Sequence, residues 1–317
     1  MPQASVIIAV YNGEAFIEDA LNSVFAQTCR DFEVIVINDG STDNTEECLA
    51  KYRDRIRYVS QENRGLAATR GRGLAAAQAP LVAFLDADDV WLPRKLERQV
   101  NAAREHPECG IITTDVLSFS GSCVVVPSLK KWYRPVSGDV LENLLFGNWI
   151  PPSAAMVRRE CFEHVKTFDV PPPGYGEDWM MWMQIAADFP VCYIDEVLVR
   201  RRLHSDSMSS QNEDIQFRCV MRNLEIIRER VPKLNGQPSL IDEAKFQVCL
   251  RRGMRDIRAI RVPEAREKLK RALRCKRFSV KAWAALAATH VPGWALCSMK
   301  HISTLASGLG GRSAAWF

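Results

Sequence analysis

The sequence predicts an α/β fold, with a doubly wound sheet followed by an all-helical extension. Three observations lead there. Four short β-branched or apolar runs, SVIIAV (5–10), FEVIVI (32–37), RIRYVS (55–60) and PLVAFL (80–85), are each bounded by turn residues, as buried strands are. Helix-patterned segments alternate with them, the arrangement that gives a doubly wound sheet. Beyond residue 212 the strand signal stops and only helical periodicity remains.

The elements follow in order. After the first strand, residues 14–27 put Ile17, Leu21, Val24 and Phe25 on one helical face. A second helix is expected over 43–53 and a third over 66–78, after Gly65. GIITTDVLSF (110–119) and SCVVVP (122–127) read as strands of a hairpin around Gly121, and VCYIDEVLVRRRL (191–203) as one or two more. Helices over 93–105, 139–146 and 177–188 fill the gaps, and the extension holds helices over 215–230, 240–260, 263–273 and 280–289. The boundary is placed near residue 210, giving an α/β domain over 1–210 and a helical region over 211–317.

At 317 residues and 47% hydrophobic the chain can bury a full core, which excludes disordered and fibrous classes. Ten cysteines stand singly, without a C-x-x-C pair, so a disulfide framework or structural zinc site is not expected. The N-terminal MPQASVIIAVYN has no basic, apolar and cleavable signature, so a cytoplasmic protein is expected. The net charge of +4 is unevenly spread. Residues 251–281 carry thirteen Lys/Arg against three Asp/Glu, about +10, which leaves the rest of the chain near −6.

In an open α/β sheet, ligands bind outside the carboxyl ends of the strands. Polar clusters fall at those ends: Tyr11-Asn12-Gly13-Glu14, Asn38 to Asp43, Gln61 to Gly65, and Asp86-Ala87-Asp88-Asp89. NDGSTD taken alone reads equally well as a turn with Asp43 capping the next helix. The G-x-G at Gly71 and Gly73 lies inside a helical pattern and lacks the third glycine of a dinucleotide fingerprint. FLDADD (84–89) is harder to explain as packing alone. Carboxylates a few ångströms apart repel, and desolvating one costs several kcal/mol unless a cation or donors compensate. A hard divalent ion that also takes substrate phosphates gives such a pair a purpose. Asp89 is read instead as the residue starting the helix near Pro93.

SVIIAVYN, FEVIVINDGSTDNT, QENRGLAATRGRGL, PLVAFLDADD, GEDWMMWMQIA and RLHSDSMS follow in the order seen in family 2 inverting glycosyltransferases of the GT-A fold, which this chain resembles over about residues 4–210. The resemblance implies a nucleotide-diphospho-sugar transferase with a Rossmann-like mixed sheet. It implies that Tyr11 lines the base pocket, Asp39 contacts the nucleobase, Arg70 approaches the pyrophosphate, Asp86 holds the ribose, and Asp88 binds Mn²⁺ or Mg²⁺. Val10, Asn12, Glu14, Asn63, Gly65 and Ala87 complete the implied donor-binding set. In the R-x-H-x-x-S segment, Arg202, His204 and Ser207 match the family's closing loop, and His204 is implied to reach the metal or diphosphate. One departure is that Thr69-Arg70-Gly71 stands where the family has A-R-N.

An inverting transfer needs a base on the face opposite the departing diphosphate, because an acceptor hydroxyl is a poor nucleophile. GEDW (176–179), after PPPGYG, supplies acids there, although two acids in a first helical turn are also favoured by the helix dipole alone. The resemblance implies Asp178 as the base and Glu177 as its neighbour. Trp182 and Met183 are expected to pack, Trp179 to offer a sugar platform, and Ser153 of WIPPS (149–153) to line the acceptor side.

Leu269, Ala272 and Leu273 set between Lys268, Lys270, Arg271 and Arg274 suggest an amphipathic helix, and AWAALAATHVPGWALCSM (282–299) carries no full charge but is broken by Thr289-His290 and Pro292-Gly293. Two short helices at an anionic membrane surface, through 251–299, fit better than a span, with a solvated helical subdomain or oligomer contact as the alternative. Nucleic acid is not expected, since aromatic residues are not interleaved with the charge. The expected function is metal-dependent transfer of a hexosyl or N-acetylhexosaminyl group from a nucleotide-diphospho-sugar, a UDP-sugar, to a glycan, lipid-linked or protein-linked hydroxyl. A sugar nucleotidyltransferase and a non-catalytic sugar-nucleotide-binding protein are the alternatives.

Overall fold

The computed structural model describes residues 1–163, 165, 175–205, 207, 213–234 and 236–290. The chain divides between residues 211 and 212 into two compact units.

In the first unit, β1 (Ala4–Val10), β2 (Phe32–Asn38), β3 (Arg57–Ser60) and β4 (Leu81–Asp86) are parallel, in spatial order β3, β2, β1, β4. The sheet continues with β5 (Val90–Trp91), β6 (Ile111–Ser120), β7 (Cys123–Val126), β8 (Met156–Arg158) and β9 (Val191–Arg202). From β4 outward the order is β8, β6, β9, β5, and β7 pairs with β6 alone. The β4–β8, β8–β6 and β9–β5 pairs are antiparallel and β6–β9 is parallel, so the sheet is mixed. Residues 191–203 form one strand rather than two. β5 and β8, only two and three residues long, have no counterpart among the expected strands.

Register positions the site. Val10 pairs with Asn38, Asn38 with Ser60, and Ala9 with Asp86, so four strands end at one level. Their apolar runs are buried because helices cover them. On one face α1 (Ile17–Phe25) sends Ile17, Leu21 and Val24 into a cluster with Val6, Ile8, Val10, Val34 and Val36. On the other, α3 (Leu66–Ala76) lies close over β1. A Cβ at Gly73 would sit 2.4 Å from Ile7 Cγ2, so the second glycine of the G-x-G serves helix–sheet packing. α2 (Thr45–Ala50), α4 (Lys95–Glu105), α5 (Leu141–Phe146) and α6 (Glu177–Asp188) complete the unit. Of the expected PPPGYG segment, residues 171–174 lie outside the described residues.

The second unit contains α7 (Glu213–Arg230), α8 (Pro238–Arg258), α9 (Val262–Cys275) and α10 (Val280–Ala288). Part of its basic charge points inward. Lys268 Nζ donates to Asp256 Oδ2 at 2.6 Å and to Asp214 Oδ1 at 2.8 Å, with Asp256 fully buried. Arg261 reaches Asp256 Oδ1 at 2.7 Å and Glu213 Oε2 at 2.9 Å, and Arg252 also reaches Glu213 at 2.9 Å. The expected amphipathic helix is α9, which buries Leu269 and Ala272 and exposes Lys270, Arg271 and Arg274, while Lys268 points inward to Asp256. The remainder of the expected 282–299 apolar stretch, residues 291–299, lies outside the described residues. Among the described residues no helix is long and apolar enough to cross a membrane.

Candidate functional site

The loops after β1 and β2 are laced together. Asn12, at φ 51°, accepts the Thr42 amide on Oδ1 at 2.8 Å, while its own amide donates to Ser41 Oγ at 3.0 Å. Glu14 Oε2 accepts the Asn44 backbone and side-chain amides at 2.8 and 2.7 Å. Asn12 and Glu14, expected in the donor set, thus spend their side chains holding residues 41–44. Tyr11, half exposed at 51%, stands at this rim next to buried Val10.

Asp39 is buried. Its Oδ1 accepts the Arg64 amide at 2.9 Å and Gln61 Nε2 at 2.7 Å, and its Oδ2 accepts the Gly65 amide at 2.8 Å. Three of the roughly four lone-pair positions of the carboxylate are therefore filled by the loop after β3. Gly40, at φ 73°, lets this loop approach, because a Cβ there would lie 2.9 Å from the Asn63 nitrogen. Asn63 and Gly65 are exposed at the same rim.

At the end of β4 the three aspartates diverge. Asp86 accepts Arg70 Nη2 at 2.5 Å, and its amide donates to Ser153 Oγ at 3.1 Å. Asp88 Oδ2 lies 3.0 Å from His204 Nε2, and its carbonyl accepts Arg202 Nε at 3.0 Å. Asp89 is buried, accepting the Ser153 hydroxyl at 2.6 Å and the Arg202 amide at 3.0 Å. Burial, then the neighbouring Asp88 and Asp86 charges, push the Asp89 carboxyl well above the usual carboxylate range, and burial with Asp86 also raises Asp88. The expectation that Asp89 starts a helix is corrected: α4 begins at Lys95, and Asp89 instead ties β4 to β9. Ser153 is corrected as well. It is fully buried and both its hydroxyl bonds serve the aspartates, so it faces no acceptor. Ala87 is half-buried between Asp86 and Asp88. Arg202 also reaches Asp19 Oδ2 at 2.9 Å, and the Ser207 hydroxyl donates to the His204 carbonyl at 3.0 Å.

The acids heading α6 join this rim through Arg70. The Arg70 guanidinium, 3% exposed, forks between Asp86 and Glu177. Burial disfavours its charge, but Asp86, Glu177 and Asp178 outweigh that and keep it protonated. The Arg70 side chain is therefore an internal strut rather than an open arm toward a pyrophosphate, with both faces of its fork already taken. Burial pushes Glu177 up to about 7, against the pull of Arg70. Asp178 is half-buried and its Oδ2 accepts Asn148 Nδ2 at 2.9 Å. Burial raises its carboxyl above the ordinary aspartate value, opposed by Arg70 and by the Asn148 donor. Asn148 had no sequence signal, since a lone asparagine in GNW has no recognisable spacing to GEDW.

The indole of Trp179 is fully buried and donates to the Leu144 carbonyl at 2.8 Å, so Trp179 offers no platform to a sugar, contrary to expectation. Trp182, donating to the Ile150 carbonyl at 2.9 Å, and Met183 are buried as expected.

Among the described residues no three His, Cys, Asp or Glu side chains converge as a metal cage. Asp88 with His204, beside Asp86, forms an open, oxygen-rich set with partly exposed carboxylates. This donor chemistry fits a hard divalent cation that takes its remaining ligands from a diphosphate and water.

A family model described as glycosyl transferase family 2 matches residues 5–164. A relative named a putative teichuronic acid biosynthesis glycosyltransferase, TuaG of Bacillus subtilis, is 32% identical over 221 residues, covering 66% of this chain and 82% of that one. An uncharacterized glycosyltransferase of Rickettsia conorii is 28% identical over 250 residues, 74% of this chain and 40% of its own length. The chain thus spans about two fifths of the length of that relative. Among solved structures, S. aureus TarS 1-349 in complex with UDP-GlcNAc superposes with a TM-score of 0.64 at 16% identity, covering 96% of this chain and 92% of that one. The mannosyltransferase PcManGT of Pyrobaculum calidifontis, in complex with GDP-Man and Mn²⁺, gives 0.58 at 18% identity, covering 96% and 83%.

Proposed function

Because this chain belongs to glycosyl transferase family 2 and has a GT-A-type fold with C-terminal helices, we propose that it moves a sugar, with inversion and with a divalent metal, from a UDP-sugar to a hydroxyl of a glycan or glycoconjugate acceptor. One observation carries the reading: Arg70 links the acid rim at the end of β4 to the pair of acids heading α6, and Asn148 orients the second of those acids. A donor-side group and a base-side group are thereby held in one rigid frame. The bound ligands of the structural neighbours support a nucleotide-sugar donor, and the name of the Bacillus relative supports a polysaccharide product.

On this reading Tyr11 and the loop organised by Asp39 receive the nucleoside, while Asp86 faces the ribose. Asp88 and His204 would hold Mn²⁺ or Mg²⁺, which supplies neutralisation of the diphosphate charge when bound. Asp178 takes the proton from the acceptor hydroxyl as that oxygen bonds to the anomeric carbon, and the bond from this carbon to the diphosphate oxygen breaks on the opposite face. Glu177, locked on Arg70, positions Asp178 rather than competing for the proton.

Incubation with a panel of UDP-sugars, acceptor glycans and Mn²⁺ tests the reaction. UDP release with glycosylated product is the expected result, and release of sugar 1-phosphate would identify nucleotidyl transfer instead. Asp88→Ala is expected to weaken Mn²⁺-dependent UDP binding by about tenfold or more, since one liganding carboxylate and the anchor of His204 are both removed. Calorimetric titration with and without Mn²⁺ checks this, and an unchanged affinity in Mn²⁺ would remove Asp88 from the metal site.

Asn148 gives a pH-dependent expectation. Its amide donates to the ionised form of Asp178 and so favours ionisation. In Asn148→Ala the folded pKa of Asp178 rises, so the acid limb of kcat/KM against pH shifts to higher pH, with loss greatest on the acid side. A profile that falls uniformly without shifting would show that Asn148 does not act through Asp178.

A further inference from the structure

The last helix of the C-terminal unit turns its apolar residues outward. Val280, Trp283, Ala284 and Ala287 are spaced i, i+3, i+4 and i+7, the spacing of one helix face, and all four are exposed. Val280 is 81% exposed, Trp283 54%, and Phe278 in the preceding turn 88%. A helix in a globular unit normally buries such a stripe, whereas Ala282 is the residue buried here. The set is held in place: Trp283 Nε1 donates to the Arg277 carbonyl at 3.0 Å, and Ser279 Oγ caps the helix by accepting the Ala282 amide at 3.3 Å.

Exposed cations lie on the same helix, in the turn before it and on the preceding helix. Lys270 and Arg274 lie one turn apart on α9, Arg277 lies in the turn and Lys281 on α10, and all four are exposed. None is paired with a carboxylate among the described residues, unlike Arg252, Arg261 and Lys268, which are engaged with Glu213, Asp214 and Asp256.

We propose that this surface docks on an anionic lipid bilayer. Phe278, Val280 and Trp283 enter the boundary between headgroups and acyl chains, and Lys270, Arg274, Arg277 and Lys281 meet lipid phosphates. The excess of unpaired cations on α9, the turn and α10 favours this partner over a second copy of the chain, because a two-fold contact would bring the same cations against one another. The aliphatic run of Val280, Ala284 and Ala287 favours it over nucleic acid, which uses aromatic planes along a basic groove. The proposal is independent of the transfer reaction and of every residue assigned to it.

Cosedimentation of the full chain with vesicles of phosphatidylcholine alone, or of equal parts phosphatidylcholine and phosphatidylglycerol, tests it. Binding is expected to the anionic vesicles, about tenfold or more weaker to the neutral ones, and reversed by high salt. Phe278→Ser with Trp283→Ser, and separately Arg274→Glu with Arg277→Glu and Lys281→Glu, are each expected to lower vesicle binding by about tenfold or more. Both leave circular dichroism and UDP affinity unchanged, because these side chains are exposed. Equal partition of the wild-type chain onto neutral and anionic vesicles, or undiminished binding by both variants, would overturn the proposal. So would a wild-type dimer that the serine variant converts to monomer, or binding of a single-stranded oligonucleotide that the glutamate variant loses while its vesicle binding is unchanged.

Discussion

Asp178→Asn is expected to lower turnover by about 10²–10⁴-fold, the range supplied by a positioned general base, while leaving UDP affinity in Mn²⁺ within about twofold. The substitution is close to isosteric. The Asn148 amide that now donates to Asp178 Oδ2 at 2.9 Å can donate to the carbonyl oxygen of the new side chain, so the head of α6 keeps its geometry. What is lost is the capacity to take a proton. In the wild-type enzyme burial raises the Asp178 carboxyl, so the active, ionised form accumulates only above the ordinary aspartate range and activity rises with pH through that raised value. Measuring kcat, KM and UDP affinity on one preparation separates the two effects. A variant that retains transfer within about threefold would refute the base assignment, since no proton acceptor remains at that atom.

The sheet was legible where the chain itself specifies it. β1, β2 and β4 are apolar runs buried on both faces, and such runs read as strands without knowledge of their neighbours. β5 and β8 were not legible, because Val90–Trp91 and Met156–Arg158 become strands only by pairing with β9 and with β4 and β6. The same division runs through the candidate site. That polar clusters gather at four strand ends follows from topology and was foreseen. What each side chain does there depends on partners far along the chain. Asp89 and Asp88 are adjacent, yet the Ser153 hydroxyl and the Arg202 amide draw Asp89 inward while Asp88 meets His204. Trp179 follows an acid that heads the site, which suggested a ligand contact, but α6 turns its indole to the Leu144 carbonyl. Nor could spacing reveal that Arg70, placed by resemblance at a pyrophosphate, would be enclosed between acids from β4 and α6.

That enclosure makes Arg70 the largest expected stability effect in the first unit. Arg70→Met is expected to cost about 3–5 kcal/mol near pH 8, because the desolvated Glu177 left without its cation must either stay ionised at a penalty or take up a proton. The loss falls mainly on Glu177, whose side chain is 5% exposed, while Asp86, at 33%, retains partial hydration. The cost must depend on pH, with a definite sign. Glu177 already has a folded pKa of about 7, above its value of 4.5 in an unfolded chain, so in the wild type its contribution to stability falls as pH rises through that interval and is then constant. Without Arg70, which pulls that pKa down, the folded value climbs further, and the penalty keeps growing beyond neutrality. Urea denaturation should therefore show a larger gap between wild type and Arg70→Met at about pH 8 than at about pH 5.5. Adding Glu177→Gln to Arg70→Met should recover part of the loss, since the buried group left behind is then neutral, and this recovery is the coupling a double-mutant cycle reads. A destabilisation that is independent of pH and additive with Glu177→Gln would mean that Arg70 contributes through packing alone. The ion pair would then not be what joins the rim of β4 to the head of α6.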